Sequence, residues 1–230
     1  MPAAQAPAVS AGLKSKLLEG LQPRDRETIL AAASLKRFPA GSVIATQGAP
    51  AHRLFLLVKG CVRYFYTTAG GKKILMIWMT PGDVFGAATA ISRPSNYMVS
   101  SEAVKDSEVL SWDRATFRAF TVKFPLLLDN AILIATDYFK WYLDAQVALT
   151  CHTARERLAG ALLGFARAIG EKVPEGIMLD VTNEELADSA NITPFTTSRL
   201  MSEWRKSGAV VKQRGKMLLR APERLVIHPK

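Results

Sequence analysis

The chain has 230 residues, about half of them apolar and charged residues at ordinary frequency, which suits one large or two modest globular domains with real cores. No stretch approaches the ~20 uninterrupted apolar residues that a membrane span needs. Two cysteines and three histidines, none in CxxC or HExxH spacing, exclude a zinc finger, a four-cysteine iron–sulfur cluster and a disulfide framework.

Residues 1–12 are rich in Ala and Pro and lack the basic start and apolar centre of a secretory signal, so residues 1–16 read as a flexible tail on a cytoplasmic protein. Residues 13–33 alternate apolar and charged side chains at helical spacing, with a break at Gly20–Pro23, which predicts one or two short helices. The character changes over 35–112. Apolar runs at 54–58, 62–66 and 74–79, rich in β-branched and aromatic residues, alternate with turn signals at Pro39-Ala40-Gly41, Gly48-Ala49-Pro50, Lys59-Gly60, Ala69-Gly70-Gly71 and Thr80-Pro81-Gly82-Asp83. Short strands at that spacing predict an all-β roll, barrel or sandwich.

From residue 114 the pattern is helical again. After Pro125, the residues Leu128, Ile132, Ala135, Phe139, Tyr142, Gln146 and Leu149 recur at alternating steps of four and three, a heptad seam. A seam this narrow on one helix predicts a second copy of the helix against it, the competing arrangement being packing on its own domain. A second helix is expected over 154–169, followed by a loop over 170–176.

The most specific signal lies over 181–208. Thr182 and Glu185 form a T-x-x-E capping box that opens a helix at Asn183. Asn191 sits where the chain must turn sharply, and asparagine tolerates the left-handed conformation better than other non-glycine residues. Thr193 then caps a second helix whose first turn holds Pro194, where no amide hydrogen is needed. Leu200 and Trp204 are predicted to face inward, while Phe195, Thr196, Thr197 and Arg199 occupy the N-terminal turns, where short hydroxyls and one arginine suit phosphate contact and base-edge reading. Apolar runs at 209–211 and 217–219 bracket Lys212-Gln213-Arg214-Gly215-Lys216, a hairpin with a basic tip that can reach a phosphate backbone. From Thr193 onward nine Lys/Arg stand against two Glu, so +7 of the net +10 falls in the last 38 residues. That concentration points to a polyanion. Thr182, Asn183, Thr193, Phe195, Thr196, Thr197, Arg199, Arg214 and Lys216 are the candidate DNA-contacting residues.

Other chemistry is weaker. Cys61 with His52 or His152 suggests haem ligation, but nothing spaces a Cys and a His together in the strand-rich region, and a buried structural thiol is the simpler reading. No cation cluster or adjacent base marks Cys61 or Cys151 as a redox switch. Gly70-Gly71-Lys72-Lys73 lacks the spacing and following helix of a phosphate loop. Asp83 and Asp113 read as turn residues. With no nucleophile–base pair visible, no enzyme activity is expected.

Taken together, Phe38-Pro-Ala-Gly-Ser-Val-Ile, Gln47-Gly, Leu54-Phe-Leu-Leu-Val-Lys-Gly, Thr80-Pro-Gly-Asp-Val-Phe-Gly86, the long seam and the segment 182–208 resemble the CRP/FNR family, the relatives of the cyclic-AMP receptor protein and the fumarate–nitrate reductase regulator. The resemblance runs from residue 17 to residue 225. It implies an α+β chain with a cyclic-nucleotide-binding-type β-roll over 17–125, a dimerisation helix over 126–152 and a winged helix-turn-helix over 153–230. It implies double-stranded DNA, a second copy of the chain and RNA polymerase as partners, and no membrane. Arg199 matches the arginine expected to read a guanine, Thr193 and Thr196 match phosphate-contacting hydroxyls, and Arg214 and Lys216 match the wing tip.

Departures from the family pattern carry as much information. Where cyclic-AMP-type members have Arg then Glu at the start of the reading helix, this chain has Pro194 and Phe195, and Phe195 is left either to touch a thymine methyl or to pack. Gly86 is followed by Ala87 instead of the ribose-binding Glu. The Arg-Ser/Thr pair for the cyclic phosphate aligns with Tyr97 and Met98, and the hydroxyl pair that meets the purine aligns with Tyr142 and Leu143. Gly86, Ala87, Tyr97, Met98, Tyr138, Trp141 and Tyr142 are the candidate pocket residues. An unpaired phosphate there is costly, so tight cyclic-AMP binding is not expected. No metal or cofactor is predicted, and the effector is not identified. Two alternatives stay open: a constitutive DNA binder whose pocket is filled by its own side chains, and a β-roll module acting through protein contacts.

Overall fold

The computed structural model describes residues 13–90, 93, 95–213 and 216–225. The chain divides into two compact units, Met1–Trp141 and Tyr142–Lys230, and the division falls inside one long helix.

The first unit opens with a single 3-10 turn, Lys16–Leu18, and helix α1, Pro23–Ala31, which starts on the proline that the break at Gly20–Pro23 anticipates. Residues 1–12 of the expected tail lie outside the described residues. Its end is not tail-like: Leu13 packs against the core, and Lys16 Nζ meets Asp137 Oδ2 at 2.6 Å. Six antiparallel strands follow: β1 (Ser34–Phe38), β2 (Val43–Ala45), β3 (Arg53–Thr67), β4 (Lys73–Met79), β5 (Val84–Phe85) and β6 (Ser100–Asp113). They are joined in the order β1-β6-β3-β4, with β2 also on β6 and β5 also on β3.

The apolar run Leu54-Phe55-Leu56-Leu57 is continuous because both faces of β3 are covered. Leu54 and Leu56 join Leu110, Trp112, Ile29 and Phe117 on the helical side, while Phe55 and Leu57 join Val62, Met79, Phe85 and Val109 inside the roll. The turn expected at Lys59-Gly60 is absent, and β3 runs straight through it with an irregular register against β6 between Leu57 and Val62. Gly60 has φ +96°, and a Cβ there would lie 2.3 Å from Ser107 Oγ. Glycine lets the strand kink against its neighbour instead of reversing. The reversal at residues 69–71 does join β3 to β4, with Gly71 N donating to Thr68 O at 2.9 Å.

Helix α2 (Arg114–Lys123) is capped by Asp113, whose carboxylate accepts from Thr116 N at 2.9 Å. These hydrogen bonds hold the Asp113 carboxyl below its usual range. Helix α3 (Leu126–Cys151) has two distinct stripes. Leu127, Asn130 and Ile134 are buried against the roll, and Tyr138 continues that stripe. Asn130 Nδ2 donates to Leu17 O at 3.0 Å and Glu19 O at 2.9 Å, tying the N-terminal turn to the helix. The seam residues Leu128, Ile132, Ala135, Phe139, Tyr142, Gln146 and Leu149 are all exposed, so the seam is not used for packing on the chain's own roll. No single helix among the described residues is long and apolar enough to cross a membrane.

The second unit contains α4 (Ala154–Ile169), opened by a Thr153–Glu156 capping box, then α5 (Asn183–Ala190) and α6 (Pro194–Lys206). The segment expected as a loop over 170–176 is largely a hairpin. Strands β7 (Glu171–Val173) and β8 (Gly176–Leu179) pair with each other, and β8 pairs with β10 (Lys216–Leu219), which pairs with β9 (Val210–Gln213). The wing is thus one half of a four-stranded sheet.

Cys61 is fully buried, and burial pushes its thiol up to about 11, whereas Cys151 is exposed. Because the shift is upward, the folded state holds the proton more tightly. The associated stability is complete below the ordinary thiol value and declines as pH rises through about 11. A disulfide reagent at neutral pH is therefore expected to label Cys151 in the native protein and Cys61 only on unfolding, read by mass spectrometry of quenched time points.

Candidate DNA interface and roll pocket

Helix α5 ends where Asn191 takes φ 49° and ψ 54°, the left-handed conformation that asparagine tolerates. Ile192 N then donates to Ala187 O at 3.0 Å. Arg157 of α4 fixes the corner from outside. Its Nε donates to Ala190 O at 3.0 Å and its Nη1 to His152 O at 2.9 Å. At the start of α6 the Thr193 hydroxyl accepts from Thr196 N at 3.1 Å and lies 2.9 Å from the Thr196 hydroxyl. One cap thus occupies both threonines read as phosphate contacts.

Helix α6 buries one stripe, Thr197, Leu200, Met201 and Trp204. Thr197 is therefore not a DNA-facing residue: it is fully buried, and its hydroxyl donates to Thr193 O at 3.2 Å. Phe195 and Arg199 lie on the opposite, solvent-exposed face. Arg199 Nη1 donates to Glu203 Oε1 at 2.9 Å, while the other oxygen of Glu203 accepts from Arg155 Nη2 of α4. The Arg155 guanidinium also lies over the Trp204 ring, 5.9 Å from its centre. Glu203, which the sequence reading passed over, is thus the residue that orients Arg199. The signal was available in the i, i+4 spacing of the two charges.

At the mouth of α5, the Thr182 hydroxyl accepts from Glu185 N at 3.1 Å and shares a hydrogen bond with Glu185 Oε2 at 3.0 Å, with Asn183 exposed beside it. Lys216 is exposed and lies 3.8 Å from Asp180 Oδ2, a loose pair. Arg214 lies outside the described residues.

The roll pocket differs from a phosphate cradle. Gly86 has φ +80°, and a Cβ there would lie 2.6 Å from Arg53 O and 3.4 Å from the Tyr97 ring. Its amide donates to Tyr64 Oη at 3.0 Å. The Tyr97 hydroxyl accepts from Arg53 N at 3.0 Å and donates to Arg53 O at 2.9 Å. The Tyr97 backbone is held by Gly48 N at 2.8 Å and Ala49 O at 2.9 Å. Phe85 stacks on Phe55 with ring centres 5.0 Å apart, and Tyr64 meets Phe85 edge-on at 6.1 Å. Burial raises the Tyr64 phenol well above its ordinary value, so it stays protonated.

Tyr138 reaches from α3 to donate to Val84 O at 2.7 Å. Met98 does not join the pocket, being 81% exposed. Trp141 and Tyr142 are exposed on α3, and Ala87 is half-buried at the head of a 3-10 turn. Of the candidates, the structure brings together Gly86 and Tyr97, with Tyr138 of α3 bonded to the adjoining strand β5. A cavity of about 280 Å³ opens beside Tyr138, lined also by Ile77, Asp83, Val84, Ile134 and Asp137, and none of the other candidates lines it.

Residues 35–123 match the family model of the cyclic nucleotide-binding domain, and residues 156–226 match that of the Crp-like helix-turn-helix domain. The chain belongs to the CRP/FNR family. The Cyclic AMP receptor protein of Thermus thermophilus is 29% identical to it over 197 residues, which cover 85% of this chain and 88% of that one. The CRP-like cAMP-activated global transcriptional regulator of Mycobacterium tuberculosis is 21% identical over 92% of this chain and 95% of its own. The solved structure of FixK2 from Bradyrhizobium japonicum shares the fold, with a TM-score of 0.68 at 23% identity over 84% of this chain and 95% of its own. The protein is a transcription regulator of this family with a DNA-binding helix-turn-helix.

Family membership gives the Arg155–Glu203–Arg199 chain a functional test. Glu203→Gln removes the carboxylate that aims Arg199 and also one negative charge near a polyanion. Binding to random duplex is expected to tighten slightly, while the preference for a selected operator over random duplex falls by about three- to tenfold, within the cost of one impaired base contact. Thermal stability should fall by no more than ~2 kcal/mol, because the Arg199 pair is exposed while the pair with Arg155 is part-buried. Parallel anisotropy titrations on operator and scrambled duplex read the ratio.

Proposed function

We propose that the chain acts as a homodimer that reads a pseudo-palindromic duplex through α6 and is gated by a signal, other than cyclic AMP, sensed in the roll. The observation that carries this reading is the two-sided character of α6, with Thr197, Leu200, Met201 and Trp204 buried and Arg199 presented outward one turn beyond the capped start of the helix. Such a helix suits a major groove, with Arg199 bidentate to a guanine and Thr193, Thr196 and the wing residue Lys216 near phosphates. The exposed seam of α3 supports a second copy as partner, which would set two reading helices about 34 Å apart. RNA polymerase belongs to the same proposal, as the partner through which occupancy of DNA becomes regulation.

The roll supports an effector other than a cyclic nucleotide. Where the family pattern places a cation for the phosphate, this chain places the Tyr97 phenol, hydrogen-bonded to both the N–H and the C=O of Arg53. A second reading has its own support in the same observation: a roll that fills itself needs no ligand, and the protein would then bind DNA constitutively. Operator affinity that stays constant across metabolite pools would favour it.

The direct experiment selects an operator from random duplex and titrates it at two salt concentrations, with and without cyclic AMP. Arg199→Ala is expected to weaken the selected site by about 1–3 kcal/mol, whereas Lys216→Ala weakens all sequences alike and lowers the salt slope by about one. Millimolar cyclic AMP should leave the curves unchanged. Two variants that bind like the parent would remove α6 and the wing from the interface, and tightening by micromolar cyclic AMP would overturn the reading of the roll.

The seam is tested separately. Ile132→Glu with Phe139→Glu places charge on two outward positions that nothing in the described chain covers. Sedimentation velocity is expected to change from dimer to monomer with the circular dichroism spectrum retained, and operator binding should drop with it. A parent that sediments as a monomer at micromolar concentration contradicts the proposal.

A further inference from the structure

Phe195 is 80% exposed, whereas the other aromatic residue of the same helix, Trp204, is 1% exposed. At 3.6 residues per turn, Phe195 lies about 180° around the helix from Trp204 and on the same side as Arg199, one turn further on. Packing within the chain therefore does not explain the ring. Its position is well fixed all the same. Pro194 holds the first helical residue, the Thr193 cap closes the first turn, and a phenylalanine has only two side-chain torsions to lose on contact. A phenyl ring offers no hydrogen bond to a base edge. The apolar feature that a major groove presents is the 5-methyl group of thymine.

We propose that Phe195 reads a thymine methyl, and that the operator half-site carries this thymine close to the guanine read by Arg199. The inference rests on the reading of α6 as the groove-facing helix. It replaces the polar contact made from this position in cyclic-AMP-type members with a shape-and-methyl contact, so the preferred half-site differs at that base pair.

The test uses the full chain and its selected operator, with each thymine replaced in turn by deoxyuridine, which removes the methyl and leaves pairing intact. The parent is expected to bind about fourfold more weakly when one particular thymine of each half-site loses its methyl, the worth of one buried methyl-sized group. Phe195→Ala should lose a similar factor on the unmodified operator and become indifferent to deoxyuridine at that position, while Phe195→Leu keeps part of the discrimination. Because the ring is exposed, these variants should fold as the parent does, checked by circular dichroism.

A parent indifferent to every thymine-to-deoxyuridine change overturns the proposal, as does a Phe195→Ala variant that still discriminates at the same position. In either case a retained loss on Arg199→Ala leaves α6 in the groove. Failure to select any preferred duplex overturns the reading of α6 itself, and the inference falls with it.

Discussion

The first unit turns on the hydrogen bond from Tyr138 to the carbonyl of Val84, 2.7 Å long. Burial pushes the Tyr138 phenol above its ordinary value, so it is a protonated donor at neutral pH. The bond joins α3 to β5, and β5 runs directly into Gly86. Tyr138 also packs against both apolar clusters of the roll. With Leu127, Asn130 and Ile134 it commits one stripe of α3 to the roll, and a helix with one committed stripe has its opposite stripe fixed by geometry. The exposure of Ile132 and Phe139 follows from that commitment. A signal that moved the backbone near Val84 would thus be felt by the helix, and on the proposed reading by the partner copy as well.

The chemistry beside Gly86 limits what such a signal can be. An anion is stabilised by amides, cations and helix ends that remain free to receive it. Here the Gly86 amide is taken by Tyr64, and the Tyr97 hydroxyl bonds both the N–H and the C=O of Arg53. Displacing the Tyr97 side chain means breaking its two hydrogen bonds to Arg53. Phe55, Phe85 and Tyr64 pack as an aromatic cluster inside the roll. Gly86 keeps a positive φ, with Arg53 O, Phe55 and Tyr97 close around it.

The parts of this structure that were legible in the sequence are those decided by local chemistry. The Thr182–Glu185 box, the left-handed Asn191 and the Thr193–Pro194 start of α6 each depend on a few adjacent residues. All three stand in the structure as local rules predict. The parts that were not legible are decided across the chain. The strands β7 and β8 are three and four residues long, with no apolar alternation to announce them, and β8 is held by its register against β10, where Met217 faces Leu179. Gly60 reads as a turn because glycine usually marks one, yet it serves the close approach of Ser107 from a strand almost fifty residues away. Thr197 was misplaced because its polarity was weighed before its position: Thr197, Leu200, Met201 and Trp204 share one helical face, and the face decides. That Gly86 and Tyr97 belong to one pocket was reached through the family resemblance alone, and their direct contact only from the structure, since no spacing rule joins residues eleven apart across a loop.

Glu203 shows how readout and scaffold meet in the second unit. A lone exposed arginine is a flexible chain that loses side-chain entropy when it engages a base. Arg199 is already directed along the helix face by Glu203, so part of that entropy is lost on folding, before any DNA is bound. The same carboxylate is held from the other side by Arg155, at the second residue of α4 and close behind the end of α3. Arg157, two residues further along, ties His152 to the corner of the helix-turn-helix. Two arginines on the first turn of α4 therefore connect the end of the long helix to both the turn and the reading side chain. A change in how α3 leads into α4 would reach Arg199 through charged hydrogen bonds, which depend more on direction than apolar packing does. Arg199 is in this way held, through Glu203, by the first turn of α4.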